Sequence, residues 1–315
     1  MMPKLFLSLS AAVGVAALGL SAPVAPPPHE PKGSGAQPRA ITITRDILYA
    51  THGPDKLELD LAKPTTGGPF PCVVLLHGGA WKTGHRRDLS IGSRDGQGTP
   101  TPSVMEQFAQ QGYVAAAVSY RLAPKHRFPA QIQDARAAVR YLRANAQKWN
   151  IDREKFAAVG FSAGGHLALL LGLADRVDGW DVGENLQESS RVQCVVDFFG
   201  PTDLSLYANS PGLEDSYMVP VFGPECKKDP KIYQTASPLN YVTAKAPPVL
   251  IFHGTFDLIV PIVHSENLLK KLHHVQATAQ LIPLRGAGHG WNGKTLTRTI
   301  HDSLKFLDTH LKVTP

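Results

Sequence analysis

The sequence predicts an α/β fold, and three observations support that prediction. Short apolar runs alternate along the chain with stretches of helical character, which is the order that strand–helix–strand units follow. The central runs are apolar at nearly every position, as expected for parallel strands that helices cover on both faces. The chain has 315 residues, of which 43% are hydrophobic, so it is long enough for one large globular domain or two small ones.

Eight segments are predicted to be strands. They are 41–50, 56–64, 72–79, 113–122, 155–161, 192–200, 248–254 and 277–286. The first two alternate between apolar and polar residues, as in "KLELDL", and this pattern is typical of an antiparallel edge with one face in water. The middle segments show no such alternation, so we expect them to form the parallel interior of the sheet.

Helices are predicted between these strands. The clearest is 129–148, where Pro129 precedes apolar residues at helical spacing. Others are predicted at 103–111, 163–175, 262–274 and 296–311. Residues 201–240 interrupt the alternation and are predicted to be an insertion above the sheet, and 82–102 are predicted to be a long polar loop.

The N-terminus predicts export. Residues 5–20 are apolar, follow Lys4 and end at small residues, so 1–21 is predicted to be a cleaved signal peptide. An uncleaved anchor is the alternative, but the run is shorter than the roughly 20 residues that span a bilayer. Residues 22–40 are rich in Pro and Gly and predict a disordered linker before a catalytic domain at 41–315. The expected location is therefore extracellular or periplasmic, without membrane attachment after cleavage.

Charge and cysteine content exclude several function classes. The net charge is +6, but the basic residues are scattered, so we expect no nucleic-acid partner. The cysteines Cys72, Cys194 and Cys226 show no metal-ligand spacing, so no metal site is expected. Cys72 and Cys194 lie in apolar runs typical of buried free thiols. A bridge between Cys194 and Cys226 remains an open alternative, since an odd count leaves at least one thiol unpaired.

Residues 160–165 read "GFSAGG" and predict a nucleophile at Ser162. The apolar run before them predicts a strand, and the run after them predicts a helix, so the serine would lie at a tight strand-to-helix turn. Gly160 and Gly164 would relieve crowding at that turn, and Gly165 would let the helix pack close to the sheet. The same pentapeptide also occurs by chance as an ordinary turn, but this placement favours a catalytic serine.

A serine hydroxyl needs a base, and the base needs a group that orients it. Asp257 follows the strand at 248–254, and His289 follows the strand at 277–286. Because both residues come just after strand ends, in the order Ser, Asp, His, they predict a catalytic triad with Ser162. A histidine in a glycine-rich loop is often only polar surface, and it is the order of the three residues that favours catalysis.

Backbone N–H groups that could bind an oxyanion are predicted in two places. Gly78 and Gly79 follow the third strand in "LLHGGAW" and carry no side chain that would block their N–H groups. Ala163, directly after the serine, is predicted to supply a further N–H. The alternative is a plain glycine turn, but its position relative to the serine favours an oxyanion hole.

Seven segments resemble, in order, motifs of the α/β-hydrolase esterases. They are "HGGAW", "SYRLAP", "FPAQIQDARAAVRYLRANA", "GFSAGGHLA", "FFGPTDL", "HGTFDLIVP" and "GAGHGW". The subgroup that the chain resembles is the secreted bacterial bifunctional feruloyl and acetyl-xylan esterase type, related to hormone-sensitive-lipase-like esterases. The resemblance covers residues 41–312 and implies an α/β-hydrolase fold with an eight-stranded, mostly parallel sheet and ester hydrolysis without a cofactor. Many relatives have a third glycine where this chain has Ala80, whose methyl group would narrow the acyl side.

Several aromatic residues and histidines lie beside these motifs. Trp81 and Trp291 flank the key loops and are predicted to bind substrate by stacking on a sugar ring, and Tyr120 is predicted to line the cavity. Trp is often simply core, which is the alternative for both. The histidines beside the motifs are interpreted as structural; they are His77, His166 and His253.

The sequence is compatible with three functions. The first is a serine carboxylic-ester hydrolase that releases short acyl groups, acetyl or feruloyl, from small-molecule or oligosaccharide esters. The second is an amidase or peptidase of the same fold, or a general short-chain esterase or lipase without carbohydrate preference. The third is a binding protein on a hydrolase scaffold, a class that typically lacks one triad residue, whereas this chain has all three.

Overall fold

The computed structural model describes residues 37–92, 98 and 100–312. The predicted signal peptide, and residues 22–36 of the predicted linker, lie outside the described residues. The folded unit begins at Pro38. The backbone N–H of Arg39 donates to the carbonyl of Gln110 at 3.0 Å, so the unit starts slightly before the predicted boundary at residue 41.

The described residues form one eight-stranded sheet, as predicted. The strands are β1 (Ile41–His52), β2 (Asp55–Pro64), β3 (Phe70–Leu76), β4 (Val114–Val118), β5 (Ile151–Phe161), β6 (Cys194–Phe198), β7 (Val249–Gly254) and β8 (Ala279–Leu284). Their order across the sheet is β1-β2-β4-β3-β5-β6-β7-β8. The pairs β1–β2 and β2–β4 are antiparallel and the other five are parallel, which confirms the predicted antiparallel edge on a parallel sheet.

Helices lie on both faces of the sheet. They are α1 (Arg87–Ser90), α2 (Val104–Gln110), α3 (Ala130–Ala144), α4 (Ala146–Trp149), α5 (Ala163–Leu173), α6 (Pro211–Leu213), α7 (Val219–Phe222), α8 (Pro230–Ala236), α9 (Val263–His274) and α10 (Gly293–Leu307). Apolar residues of α3, α5 and α9 pack on one face and those of α2 and α10 on the other. Successive residues of β3 alternate between these two cores, so the strand is buried throughout, as its continuous apolar run predicts.

The predicted insertion at 201–240 folds into short helical turns rather than one long helix. Besides α6, α7 and α8, it contains the turns Leu204–Asn209, Glu214–Met218 and Pro238–Tyr241. Prolines at the first positions of several of these turns fix the backbone for a helix start and prevent a longer continuous helix. The segment therefore forms a folded wall beside the carboxyl ends of the strands.

The predicted polar loop at 82–102 is more ordered in its first part than its composition indicates. It contains α1, and the guanidinium of Arg86 is buried against the first strands. Arg86 donates to Asp60 at 3.0 Å and to Glu58 at 2.9 Å. Asp60 is fully buried, so this ion pair fixes the start of the loop on β2.

Cys72, Cys194 and Cys226 are buried free thiols, so the alternative of a bridge between Cys194 and Cys226 is not realised. Within 37–92, 98 and 100–312, no helix combines the length and apolarity that crossing a membrane requires. The same residues contain no group of His, Cys, Asp and Glu side chains arranged to hold a metal ion.

Candidate active site

Ser162 lies at the turn between β5 and α5, where the sequence places it. Its φ of 53° lies in the left-handed region, a conformation that costs a non-glycine residue on the order of 1–3 kcal/mol. A Cβ on Gly160 would lie 2.0 Å from the carbonyl oxygen of Gly164, and a Cβ on Gly164 would lie 2.1 Å from that of Leu76. Both glycines are therefore required by close backbone approach, and the strained turn exposes the serine at the carboxyl edge of the sheet.

Ser162, His289 and Asp257 form a continuous chain of hydrogen bonds. The Oγ of Ser162 lies 2.8 Å from Nε2 of His289, and Nδ1 of His289 lies 2.7 Å from Oδ2 of Asp257. Because a carboxylate can only accept, Nδ1 carries the proton and donates it to Asp257. Nε2 is then the acceptor that faces the hydroxyl of Ser162, which is the tautomer that a general base requires.

Asp257 accepts three hydrogen bonds and lies near a fourth polar group. Its Oδ1 accepts the backbone N–H groups of Ile259 and Val260, both at 2.9 Å. Its Oδ2 lies 2.7 Å from His289 and 3.4 Å from Nε2 of His253. Burial opposes the charge of this carboxylate, but its contacts with His253, His289 and the N–H of Val260 outweigh that effect and hold the pKa of Asp257 well below its usual range. The acid is therefore ionised whenever the imidazole of His289 works as a base.

His253 stabilises the loop that carries Asp257. Its Nε2 donates to the carbonyl of Val260 at 2.7 Å, and its Nδ1 pairs with the hydroxyl of Ser265 at 2.6 Å. The side chain is fully buried at the end of β7. The sequence assigned His253 a structural role, and the structure refines that role, since the ring contacts Asp257 itself.

Gly78, Gly79 and Ala163 line the same cavity as Ser162. Among the hydrogen bonds of the described residues, none uses the N–H of Gly78 or Gly79. Ala163 is the first residue of α5, where helical N–H groups have no partner within the helix. Gly78, Gly79 and Ala163 therefore lie around one cavity with Ser162, as the sequence predicts for oxyanion-binding residues.

His77 orients the peptide between the two glycines. Its Nδ1 donates to the carbonyl oxygen of Gly78 at 2.7 Å. Since a trans peptide points its C=O and N–H in opposite directions, this bond turns the N–H of Gly79 away from His77. Burial lowers the pKa of His77 to about 4, so the ring is neutral. Tyr120 stacks on this ring at 4.2 Å and donates its hydroxyl to the carbonyl of His77 at 2.7 Å.

A cavity of about 440 Å³ opens beside Ser162 and His289. Its other side-chain lining is mostly apolar and aromatic. These residues are Ala80, Trp81, Lys82, Thr83, Phe161, Phe199, Pro201, Tyr207, Tyr217, Met218, Ile259 and Val260. Four of them come from the 201–240 insertion, which therefore forms one wall of the site.

Two of the three predicted substrate-binding aromatics do not line this cavity. Tyr120 is buried behind His77, and Trp291 packs on Phe199 at 5.0 Å while its Nε1 donates to Thr299 at 3.0 Å. Trp81 does border the cavity, but its side chain is only 2% exposed, so its ring face is not free to stack on a sugar. Sugar stacking is therefore not supported for the buried rings of Trp81 and Tyr120, and Trp291, although half-buried, lies outside the cavity lining.

The sequence interpretation did not identify the aromatic and apolar residues that line the cavity instead. Tyr207, Tyr217 and Met218 lie in the insertion, where no motif or periodicity distinguishes a lining residue from a core residue. Ile259 could have been found from its position two residues after Asp257 in the same loop. Phe199 follows β6 directly and packs edge-on against the ring of His289 at 4.9 Å.

Asp197 lies directly beneath the serine turn. It is fully buried on β6, and its Oδ1 accepts the N–H of Gly200 at 2.9 Å. A Cβ on Gly165 would lie 2.2 Å from this oxygen, so the glycine allows α5 to pack against the carboxyl group. Its Oδ2 has no hydrogen-bond partner among the described residues. Burial, opposed by His253 and the N–H of Gly200, raises the pKa of Asp197 to about 7.

This raised pKa predicts a pH-dependent cost to stability. The unfolded chain ionises Asp197 near pH ~3.9, whereas the folded chain holds the proton up to about pH 7, so the free energy of unfolding falls as pH rises through that window. Asn at this position resembles the protonated Asp197 and does not ionise. Asp197→Asn should therefore avoid a decrease of up to about 4 kcal/mol in the free energy of unfolding. Urea unfolding of both proteins at pH 5, 7 and 8.5 measures the difference. The stability of Asp197→Asn relative to the wild type should increase as pH rises. If the free energies of unfolding of the two proteins change in parallel with pH, Asp197 is not the group that titrates.

The sequence and the structure were compared with known proteins. The BD-FAE family model matches residues 59–272. The chain is 30% identical over 289 residues to "Esterase LipC" of Mycobacterium tuberculosis, a match that covers 90% of this chain and 69% of LipC. The chain spans 52% and 60% of the lengths of two further curated relatives from the same organism.

Two solved structures are similar over most of the chain. A "truncated form of carbohydrate esterase from gut microbiota" has a TM-score of 0.72 and 27% identity, over 90% of this chain and 100% of that one. The butyrate-bound Est2 esterase of Thermogutta terrifontis has a TM-score of 0.69 and 25% identity, over 85% of this chain and 94% of that one.

Proposed function

This chain belongs to the BD-FAE family, has the α/β-hydrolase fold and is a carboxylic-ester hydrolase, and we propose that it uses Ser162 to release short acyl groups from carbohydrate esters. One observation carries the proposal. The hydrogen-bonded chain of Ser162, His289 and Asp257 ends at a cavity of about 440 Å³ that Gly78, Gly79 and Ala163 also line. Nucleophile, base, orienting acid and oxyanion donors thus meet at one place.

The first half of the proposed reaction forms an acyl-enzyme. Nε2 of His289 takes the hydroxyl proton as Oγ of Ser162 attacks the ester carbonyl carbon. The carbonyl oxygen becomes negative and accepts hydrogen bonds from the N–H groups of Gly78, Gly79 and Ala163. When the tetrahedral intermediate collapses, the bond to the alcohol oxygen breaks and His289 gives its proton to the departing alcohol.

The second half releases the acid. A water molecule gives a proton to His289 and attacks the acyl carbon, and the oxyanion is bound by the same N–H groups. Collapse breaks the bond to Oγ of Ser162, which recovers its proton from His289. Asp257 stays ionised throughout and stabilises each imidazolium, in agreement with its low pKa.

The size and lining of the cavity support a short acyl group. About 440 Å³ lies at the lower end of the range for small-ligand pockets, and this volume must hold both the acyl group and part of the alcohol. Tyr217 and Met218 belong to short helical turns, which close one wall and do not form a long amphipathic lid. Ala80 adds a methyl group to the lining beside the oxyanion glycines.

Three features support a carbohydrate alcohol. One of the similar structures is described as a carbohydrate esterase. The half-buried ring of Tyr217 lines the cavity, where an aromatic face offers the apolar contact that a sugar ring uses. Export, which the apolar run at residues 5–20 predicts, would bring the enzyme to such material outside the cytoplasm.

A series of p-nitrophenyl esters from two to sixteen carbons tests the acyl preference. We expect kcat/KM to be highest for acetyl to butyryl esters and to fall steadily beyond them, because longer chains exceed the cavity. A maximum at ten carbons or more would contradict the proposal. The matching p-nitroanilide of the preferred acid serves as the control for amidase activity, and we expect its turnover to be far slower than that of the ester.

The alcohol preference needs natural substrates. We expect acetate release from acetylated xylo-oligosaccharides, with methyl ferulate and feruloylated oligosaccharides as parallel substrates. Good turnover of simple esters without acetate release from the oligosaccharides would favour a general short-chain esterase. Preferred release of ferulate would instead identify the aromatic acid as the substrate of the cavity.

A further inference from the structure

Three consecutive residues of the oxyanion loop adopt positive φ angles. They are Gly79 at 109°, Ala80 at 53° and Trp81 at 56°. A glycine tolerates this region, but a residue with a side chain loses about 1–2 kcal/mol there. A Cβ on Gly79 would also lie 2.2 Å from the carbonyl oxygen of Thr83. The segment that bears the oxyanion N–H groups is therefore strained and needs contacts that hold it.

The strongest such contacts are made by Trp81. Its Nε1–H donates to Nδ1 of His166 at 3.2 Å, and the two rings meet edge to face at 4.9 Å. Phe222 of the insertion packs on the indole at 5.7 Å. The backbone carbonyl of Trp81 accepts the N–H of Ala123 at 2.9 Å. Both the ring and the backbone of this residue are thus fixed.

His166 has one tautomer that fits its partners. Its Nε2 lies 2.7 Å from the carbonyl oxygen of Ala236, which can only accept, so Nε2 carries the proton. Nδ1 is left with a lone pair, and it accepts the indole N–H of Trp81. The ring is fully buried, and burial lowers the pKa of His166 to about 4, so it stays neutral in the working range.

This imidazole joins three parts of the site. His166 lies on α5 one turn after Ser162, and its backbone N–H donates to the carbonyl of Ser162 at 3.0 Å. Through its ring it contacts the oxyanion loop at Trp81 and the insertion at Ala236. A shift of Trp81 relative to α5 would therefore move the N–H groups of Gly78 and Gly79 relative to the serine.

We propose that the hydrogen bond from Trp81 to His166 positions the oxyanion hole, by holding the strained Gly79–Trp81 segment at a fixed distance from the nucleophile helix. This inference rests on the proposed serine mechanism. Both side chains are positioning residues, since neither reaches the reacting atoms. The oxyanion exists only in the tetrahedral states, so the bond contributes to kcat and leaves substrate binding nearly unchanged.

Trp81→Phe tests this role because it keeps a buried aromatic ring and removes the donor. We expect kcat for p-nitrophenyl acetate to fall about 10- to 100-fold, while KM stays within about threefold of the wild-type value. This fall in kcat is no larger than the one expected when an oxyanion donor is removed outright. A trifluoromethyl ketone, which forms an anionic tetrahedral adduct with a catalytic serine, should lose affinity by a similar factor. Trp180→Phe is the matched control, since it trims another buried indole that does not line the cavity, and its kcat should stay near wild type.

A second pair of variants keeps the test independent of how Trp81→Phe folds. In His166→Gln, the amide oxygen can accept from the indole and the amide N–H can donate to Ala236, so we expect kcat within about threefold of wild type. His166→Met fills similar space without either bond and should lose as much kcat as Trp81→Phe.

Two results would overturn the inference while leaving the serine mechanism intact. One is an unchanged kcat in both Trp81→Phe and His166→Met. The other is a fall in kcat that is matched by an equal rise in KM, or that occurs equally in the control Trp180→Phe. If the Ser162→Ala variant of the otherwise wild-type chain still hydrolyses the ester, the proposed serine mechanism itself fails. That outcome is distinct from the two results above.

Discussion

Replacing Ser162 with alanine is expected to lower kcat for a short-chain ester by about 10⁶-fold. The hydroxyl is the atom that bonds to the acyl carbon, and its contact with Nε2 of His289 at 2.8 Å is the route by which it loses its proton. No other hydroxyl lies within hydrogen-bond distance of that nitrogen among the described residues. Initial rates on p-nitrophenyl acetate, corrected for spontaneous hydrolysis, measure the effect.

The control for this variant is Ser303→Ala. Ser303 is also fully buried, but its hydroxyl donates to the carbonyl of Thr299 within α10 and the residue does not line the cavity. We expect it to keep wild-type kcat. If Ser162→Ala retains more than about a tenth of wild-type activity, Ser162 is not the nucleophile.

The order of the triad along the chain could be predicted from sequence because each residue follows a strand. Parallel strands end at the same edge of a sheet, so residues just after β5, β7 and β8 must gather there, whatever the details of packing. The glycines around Ser162 were predictable for a similar reason, since their contacts are local. A Cβ at Gly160 would collide with the next turn of the same chain segment.

The lining of the cavity could not be predicted in this way. Whether an aromatic residue faces substrate or core depends on partners that are distant in sequence. Trp81 is buried because its indole meets His166, 85 residues further along the chain. Tyr217 lines the cavity because the insertion folds back over the carboxyl edge, and that insertion has no periodic pattern from which its register could be read.

Arg86 shows the same limit for charged residues. In sequence it belongs to the polar run "HRRD", which is typical of an exposed loop. In the structure it pairs with Asp60 and Glu58 from β2, and these partners bury its side chain. The acidic residues occur in a strand that was predicted correctly, but nothing in the spacing joins them to a loop 26 residues away.

Asp257→Asn is expected to lower kcat by about 10⁴-fold, which is less than the loss from removing the base in His289→Ala. The backbone N–H groups of Ile259 and Val260 both donate to Oδ1 at 2.9 Å, so the amide oxygen of the asparagine must occupy that position. Its NH₂ group then faces Nδ1 of His289, where the carboxylate now accepts. That NH₂ favours the tautomer with the proton on Nε2, and Ser162 is left without a base.

Initial rates of Asp257→Asn, His289→Ala and the wild-type enzyme on the same short-chain ester test this ranking. Asp203→Asn is the matched control, because Asp203 lies in the insertion and its Oδ1 accepts from the backbone N–H of Ser205 at 3.1 Å and from the hydroxyl of Ser205 at 2.6 Å. It should keep kcat near wild type. Near-wild-type activity in Asp257→Asn together with a large loss in Asp203→Asn would reassign the acid. A loss in Asp257→Asn that appears in KM rather than kcat would contradict the tautomer argument, because the carboxylate acts on the base and does not contact the substrate.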